Sequence, residues 1–152
     1  MSLRVIGRRI VAGAVPLALL VSGCASPSPT MSDFQTKTRT TARAVAGTAA
    51  VAQVSAQAWS RGQLTDAYAD TLVTEAEDDV SSIIQTYDSR QPPTAAAVAL
   101  KGRLDKPLQD ISSALTDLRI ALRRNDRRGV AQAVAALRQP LTTLGPLQQV
   151  GL

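Results

Sequence analysis

The chain has no histidine, a single cysteine and only four aromatic residues, Phe34, Trp59, Tyr68 and Tyr87. Without histidine, the commonest general base and a leading metal ligand are both missing. The lone Cys24 has no partner for an intramolecular disulfide. Serine and threonine hydroxyls lack the positioned base that nucleophilic catalysis needs, and no glycine-rich phosphate loop is present. The apolar run Ile10 to Val21 is too short to span a bilayer as a permanent helix, and it contains a proline. No strand-like alternation and no repeat of about 20–50 residues occurs. These absences predict a protein that is not an enzyme and carries no cofactor.

What is present begins with a three-part N-terminus. Arg4, Arg8 and Arg9 form a positive segment without an acid, Ile10 to Val21 is apolar, and small residues lead to Cys24. This is the layout of a secretory signal. The four residues Val21-Ser22-Gly23-Cys24 resemble the lipobox of bacterial lipoproteins, in which an aliphatic residue and two small ones precede cysteine. The resemblance covers residues 1–24. It implies that 1–23 is a signal peptide cut before Cys24, and that the Cys24 thiol receives a diacylglycerol. It also implies a new amino terminus open to acylation, as by palmitate, and a protein held on the extracytoplasmic face of the cell membrane. Arg8-Arg9 would suit a twin-arginine route, but Ile10, Val11, Ala12 and Gly13 lack the bulky apolar pair of that signal and favour general secretion. The Ala- and Arg-rich composition looks like a GC-rich, actinobacterial genome.

Cleavage would leave 129 residues, enough for one domain with a modest core. It would also change the charge. The whole chain carries +5, but residues 24–152 hold 14 basic and 12 acidic side chains and are nearly balanced. Residues 24–32 read as the lipidated cysteine and a Pro-bearing tether, and residues 33–152 as the folded domain. Ser32 and Gln35 fit a capping box at the start of the first helix.

Four helices are predicted, over about 33–60, 65–88, 94–124 and 127–145. The first places Phe34, Thr41, Val45, Ala49, Ala52, Ala56 and Trp59 on one face and ends at Arg61-Gly62. The second spaces Tyr68, Leu72, Ala76, Val80, Ile83 and Tyr87 at helical intervals and stops before Pro92-Pro93. The third has a Thr94 cap and the clearest seam, with Leu104, Leu108, Ile111, Leu115, Leu118 and Leu122 in heptad steps. Pro107 should kink it without breaking its phase. Asn125-Asp126 supplies a turn and a cap, and Val130, Val134, Leu137, Leu141 and Leu144 continue as the fourth seam. Short connections between long amphipathic helices predict an all-α fold, a single up-down-up-down antiparallel four-helix bundle. In that register Phe34 lies near Tyr87 and Trp59 near Tyr68. Asp79 lies near Arg103, Glu77 near Lys106, and Arg43 near Asp79 or Val80.

Two charge groups stand out. Asp66, Asp70, Glu75, Glu77, Asp78, Asp79 and Asp88 fall in one stretch without a base. Glu75, Asp78 and Asp79 have the spacing to share a hard cation, although matching to basic neighbours on other helices accounts for such acids more simply. The second group lies at the end far from the tether. There the two turns gather Arg61, Arg123, Arg124, Arg127 and Arg128, with Arg119 a turn below. Arginines ending the third helix complement its dipole, but Arg127 and Arg128 open the next helix, where positive charge is unfavourable. These residues are the candidate site for an anionic wall polymer or an acidic protein. Export and the lack of interleaved aromatics argue against nucleic acid. The expected function is a lipid-anchored, non-enzymatic interaction or structural module of the cell envelope. The alternative is a carrier of a small apolar molecule between helices, against which a filled Leu and Ala core counts.

Overall fold

A computed structural model describes residues 30–152. The expected signal peptide, Cys24 and all of the tether before Thr30 lie outside the described residues. The described chain is all-helical, with α1 over Met31–Ser60, α2 over Asp66–Asp88, α3 over Ala95–Arg123, α4 over Arg127–Ala136 and α5 over Arg138–Leu147. Among the described residues, no helix is long and apolar enough to cross a membrane.

Side-chain caps fix the helix starts. The hydroxyls of Thr30, Thr65 and Thr94 accept the N–H of Asp33, Tyr68 and Ala97 at 3.1, 3.3 and 3.2 Å, and Asp126 accepts that of Arg128. Each satisfies a donor that the first turn leaves unpaired. The first helix therefore starts two residues earlier than the Ser32–Gln35 pattern suggests, because Thr30 takes the capping role and draws Met31 and Ser32 out of the tether. Two ends are closed by left-handed residues. Gly62, at φ 72°, lets its own N–H reach Trp59 O and that of Gln63 reach Ala58 O. Asn125, at φ 52°, does the same with Leu122 O and Asp126 N to Ala121 O. Both are paired closures that cap the last carbonyls and reverse the chain within a few residues.

Prolines act differently at two places. α3 continues through the buried Pro107. The fourth predicted helix is instead two, because the Pro140 ring crowds the carbonyl four residues back, that of Ala136. α4 ends at Ala136, Pro140 falls in the first turn of α5, and helix then persists to Leu147 rather than stopping at 145.

The core is a small-residue face against a large-residue face. α1 buries Phe34, Ala42, Val45, Ala49, Ala52, Ala56 and Trp59, while α3 buries Leu104, Leu108, Ile111, Leu115, Leu118 and Leu122. α1 and α3 pack on each other and on the remaining helices, and α2 packs only on these two. Such pairing of Ala with Leu keeps helices close without leaving voids. α2 departs from expectation near its start. Ala69 and Val73 are buried, whereas Tyr68 is 55% exposed and Leu72 only half-buried. The buried face there is set one residue later, since Tyr68 keeps its hydroxyl in water.

The ends of α1 and α2 are pinned by aromatics. Phe34 and Tyr87 have ring centroids 5.9 Å apart. The Tyr87 hydroxyl lies 3.0 Å from that of Thr38, which donates to Phe34 O. Burial pushes the Tyr87 hydroxyl above its ordinary pKa. At the other end Trp59 Nε1 donates to Asp66 Oδ1 at 2.6 Å, where Tyr68 was the expected neighbour. A buried indole N–H needs an acceptor, and a carboxylate serves better than a ring.

Candidate functional site

The end of the molecule farthest from Thr30 is assembled from the C-terminus of α1, the start of α2 and the turn between α3 and α4. Asp66 is its centre, accepting from Trp59 and from Asn125 Nδ2 at 3.4 Å. Arg127 binds the first and last of these elements together. Its Nη1 donates to Ser60 O at 3.3 Å, and its guanidinium lies 5.6 Å from the Trp59 ring centroid. This explains a charge that looked unfavourable at the start of α4. α1 has no basic residue in its own last turn, and Arg127 supplies positive charge to that carbonyl end from the neighbouring helix. The opposite end has the same device. Arg39 and Arg43 on α1 donate to Val150 O and Gln148 O beyond α5, so Arg43 meets the C-terminal segment rather than Asp79 or Val80.

The expected arginine cluster is thus divided. Arg123 Nε donates to Asp70 Oδ1 at 2.8 Å, and Arg119 pairs with Glu77. These arginines join α3 to α2, Arg119 mostly covered and Arg123 with 52% of its side chain still exposed. Arg61, Arg124 and Arg128 are exposed, and their side chains have no hydrogen-bond or ion-pair partner among the described residues. Arg138 is likewise exposed and unpaired there. Sequence reasoning passed over it. The signal was its spacing, four residues after Val134 and seven after Ala131, which keeps it on the same face of the last helical stretch.

Several acids also have other partners than expected. Glu77 meets Arg119 and Thr116, several turns farther along α3 than Lys106, and Lys106 pairs within α3 with Asp110. Asp88 meets Lys101, which also holds Asp105. The offset arises because the Pro-containing link from Ser89 to Thr94 lets the first turns of α3 run past the end of α2 toward α1. Thr94 there touches Met31. Glu75, Asp78 and Asp79 are exposed. Among the described residues, no three His, Cys, Asp or Glu side chains form a group that could hold a metal.

The Glu77–Arg119 pair is the least exposed of the inter-helix ion pairs, with 18% and 23% of the side chains accessible. Burial pushes the Glu77 carboxyl up, but hydrogen bonds from Arg119 and Thr116, with the nearby positive charge, hold it below the ordinary value of 4.5. A lowered folded-state pKa adds stability that is present above the unfolded value and lost as pH falls through the folded one. Glu77→Gln should therefore cost about 1 kcal/mol at neutral pH and less below pH 4.5. Urea midpoints of the two proteins at pH 7 and in acid check this, and an equal gap at both would contradict it.

Two open grooves flank α4. The one shared with α3, about 330 Å³, is bordered by Arg124 but also by Asp117 and Asp126. The one shared with α1, also about 330 Å³, has Ala56, Val130, Ala131 and Val134 along it, with Ser60, Gln57, Arg61 and Arg138 at its edges and no acid. It exists because α4 and the facing part of α1 both present small side chains, which cannot fill the space between two helices. No protein-family model, curated protein or solved structure matches the chain.

Proposed function

We propose that this chain is a lipid-anchored envelope protein and a non-enzymatic interaction module. Residues 1–23 direct export and are removed, and Cys24 carries the lipid. A short tether then leads into an up-down-up-down antiparallel four-helix bundle, in which α4 and α5 together act as the fourth helix. The bundle's outer end meets an anionic partner, such as a wall polymer or an acidic protein face.

The observation that carries this reading is the separation of the two ends. α1 follows directly on the tether and is 30 residues long, which at 1.5 Å per residue is about 45 Å. The unpaired Arg61, Arg124 and Arg128 lie at its far end, away from the membrane. The filled Ala and Leu core, with grooves that open at the surface, supports a module that works through its exterior rather than an enclosed apolar carrier.

The test is retention of the full chain on purified cell wall at low and high salt. Arg124→Gln with Arg128→Gln should lower low-salt retention by roughly threefold or more, while Arg127 is left intact because it packs on Trp59. Retention that is absent in the parent protein, or unchanged in the variant, would contradict the proposal.

A further inference from the structure

α1 carries a second seam that no other helix covers. Its buried seam faces the core, but Thr40, Ala44, Gly47, Val51, Val54 and Ala58 also step by four and three residues, on the outer side of the helix. Val51 and Val54 are 53% and 64% exposed, two of the few large apolar side chains left in water. From Ala44 to Ser60 α1 has no charged residue, whereas a solvated helix face is ordinarily charged. Gly47 lies in mid-helix with open space where a side chain would be. Nothing among the described residues calls for glycine there, but close approach of a second backbone does.

The seam runs between strips of opposite charge. α2 touches only α1 and α3, so α1 separates it from α4 and α5. On α2, Glu75 and Asp79 continue the row of Ser82 and Thr86, which lines the α1 side. On the other side Arg138 borders α1, Arg43 reaches across to Gln148 O, and no Asp or Glu follows Asp126 in the chain. Glu75, Asp79, Arg43 and Arg138 make no ion pair among the described residues. Their heights along α1 follow from fixed contacts. Trp59 to Asp66 and Thr38 to Tyr87 set the register of α2, and Arg127 to Ser60 and Arg43 to Gln148 set that of α4 and α5. Counted from these, Glu75 and Arg138 both fall beside Ala50 and Val51, and Asp79 falls beside Val45 and Ala46, close to the height of Arg43.

We infer that α1 pairs in parallel with α1 of a second copy of this chain, through the seam from Thr40 to Ala58. Charge selects both the occupant and its orientation. A twofold axis along α1 sets α2 of one copy against α4 and α5 of the other, so that Glu75 faces Arg138 and Asp79 faces Arg43, each twice. A twofold axis across α1 would instead set Glu75 against Glu75 and Arg138 against Arg138, which like charge opposes. Val51 falls at an a position of the seam, where β-branched side chains favour two parallel strands. On the reading of Cys24 as an anchor, both tethers enter one membrane. That requires the same parallel arrangement and raises the effective concentration of the pair, but the charges select it without that reading.

Thiol trapping of the full chain in nonionic detergent, oxidised with copper phenanthroline, tests this. Thr40→Cys and Val54→Cys should each form a disulfide with the same position of the other copy, identified from the mass of the linked peptides. The parent, whose only thiol is Cys24, is the control and shows separately whether that thiol is free. Val51→Asp, an exposed change, should lower the yield of the Thr40→Cys dimer by about tenfold or more, with the melting temperature unchanged. Arg138→Glu or Glu75→Arg alone should lower it by roughly threefold, and the two together should restore it. Arg103→Gln, on α3, should have no effect. Linkage of Thr40→Cys to Ala58→Cys, with neither linking to itself, would mean antiparallel pairing and overturn the inference. So would linkage no greater than in the parent, or charge reversals that leave the yield unchanged. Wall retention through Arg124 and Arg128 is read separately, so either proposal can fail alone.

Discussion

Replacing Leu115 with Ala should destabilise the domain by about 2–5 kcal/mol, whereas Ile120→Ala, five positions along the same helix, should cost less than about 1 kcal/mol. Leu115 is fully buried in the middle of the α3 seam. Ile120 is half-buried and borders the α3–α4 groove. The difference is one of surroundings, since both changes remove a similar apolar volume. At Leu115 the neighbours are packed on every side, and removal leaves a cavity that Ala-rich α1 has no long side chains to fill. At Ile120 solvent enters the space. Because a domain of this size has a total stability of about 5–15 kcal/mol, the first change should move a urea midpoint far and the second barely. Equal losses would contradict the division of α3 into buried and open faces.

The second large effect is expected at Cys24. Cys24→Ala should abolish acyl labelling and lipoprotein-type processing altogether, because the thiol is the only group in the chain that can take a thioether-linked lipid. The consequence for the proposed function is spatial. A tethered domain is confined close to the membrane, since with Met31 and Ser32 in α1 the six residues from Ala25 to Thr30 reach at most about 20–22 Å. An unlipidated domain lacks this restraint. Persistence of acyl label in the variant would contradict the anchor assignment.

How much of this was legible in the sequence depends on the side chain in question. The α3 seam was clear because leucine at heptad spacing has few readings other than a buried face, and those leucines are buried. The α1 face was equally clear, since Phe34 and Trp59 mark both ends of an Ala and Val stretch. The start of α2 was not, because Tyr68 and Leu72 outweigh Ala69 and Val73 in any apolar pattern, yet the smaller pair is buried. A tyrosine at a helix start can lie on the surface with its hydroxyl in water, and periodicity does not show which way it will turn. The division of the fourth helix could be read from Pro140 and its effect on Ala136. The ion pairs between α2 and α3 could not, because a link of several residues containing two prolines does not act as a symmetric hairpin. That same shift separates the arginines. The sequence placed the candidate cluster at one end, but only the fold assigns Arg119 to Glu77, Arg123 to Asp70 and Arg127 to Trp59. The groove beside Arg138 required knowing where two short-side-chain surfaces fail to meet.

The proposed lipid anchor is tested most directly by the intact mass of the protein extracted from its native membrane. The account predicts a chain beginning at Cys24, lacking residues 1–23 and heavier by a diacylglycerol, with any further acyl group at the new amino terminus. A chain that retains residues 1–23, or begins at Cys24 without added lipid, would contradict it.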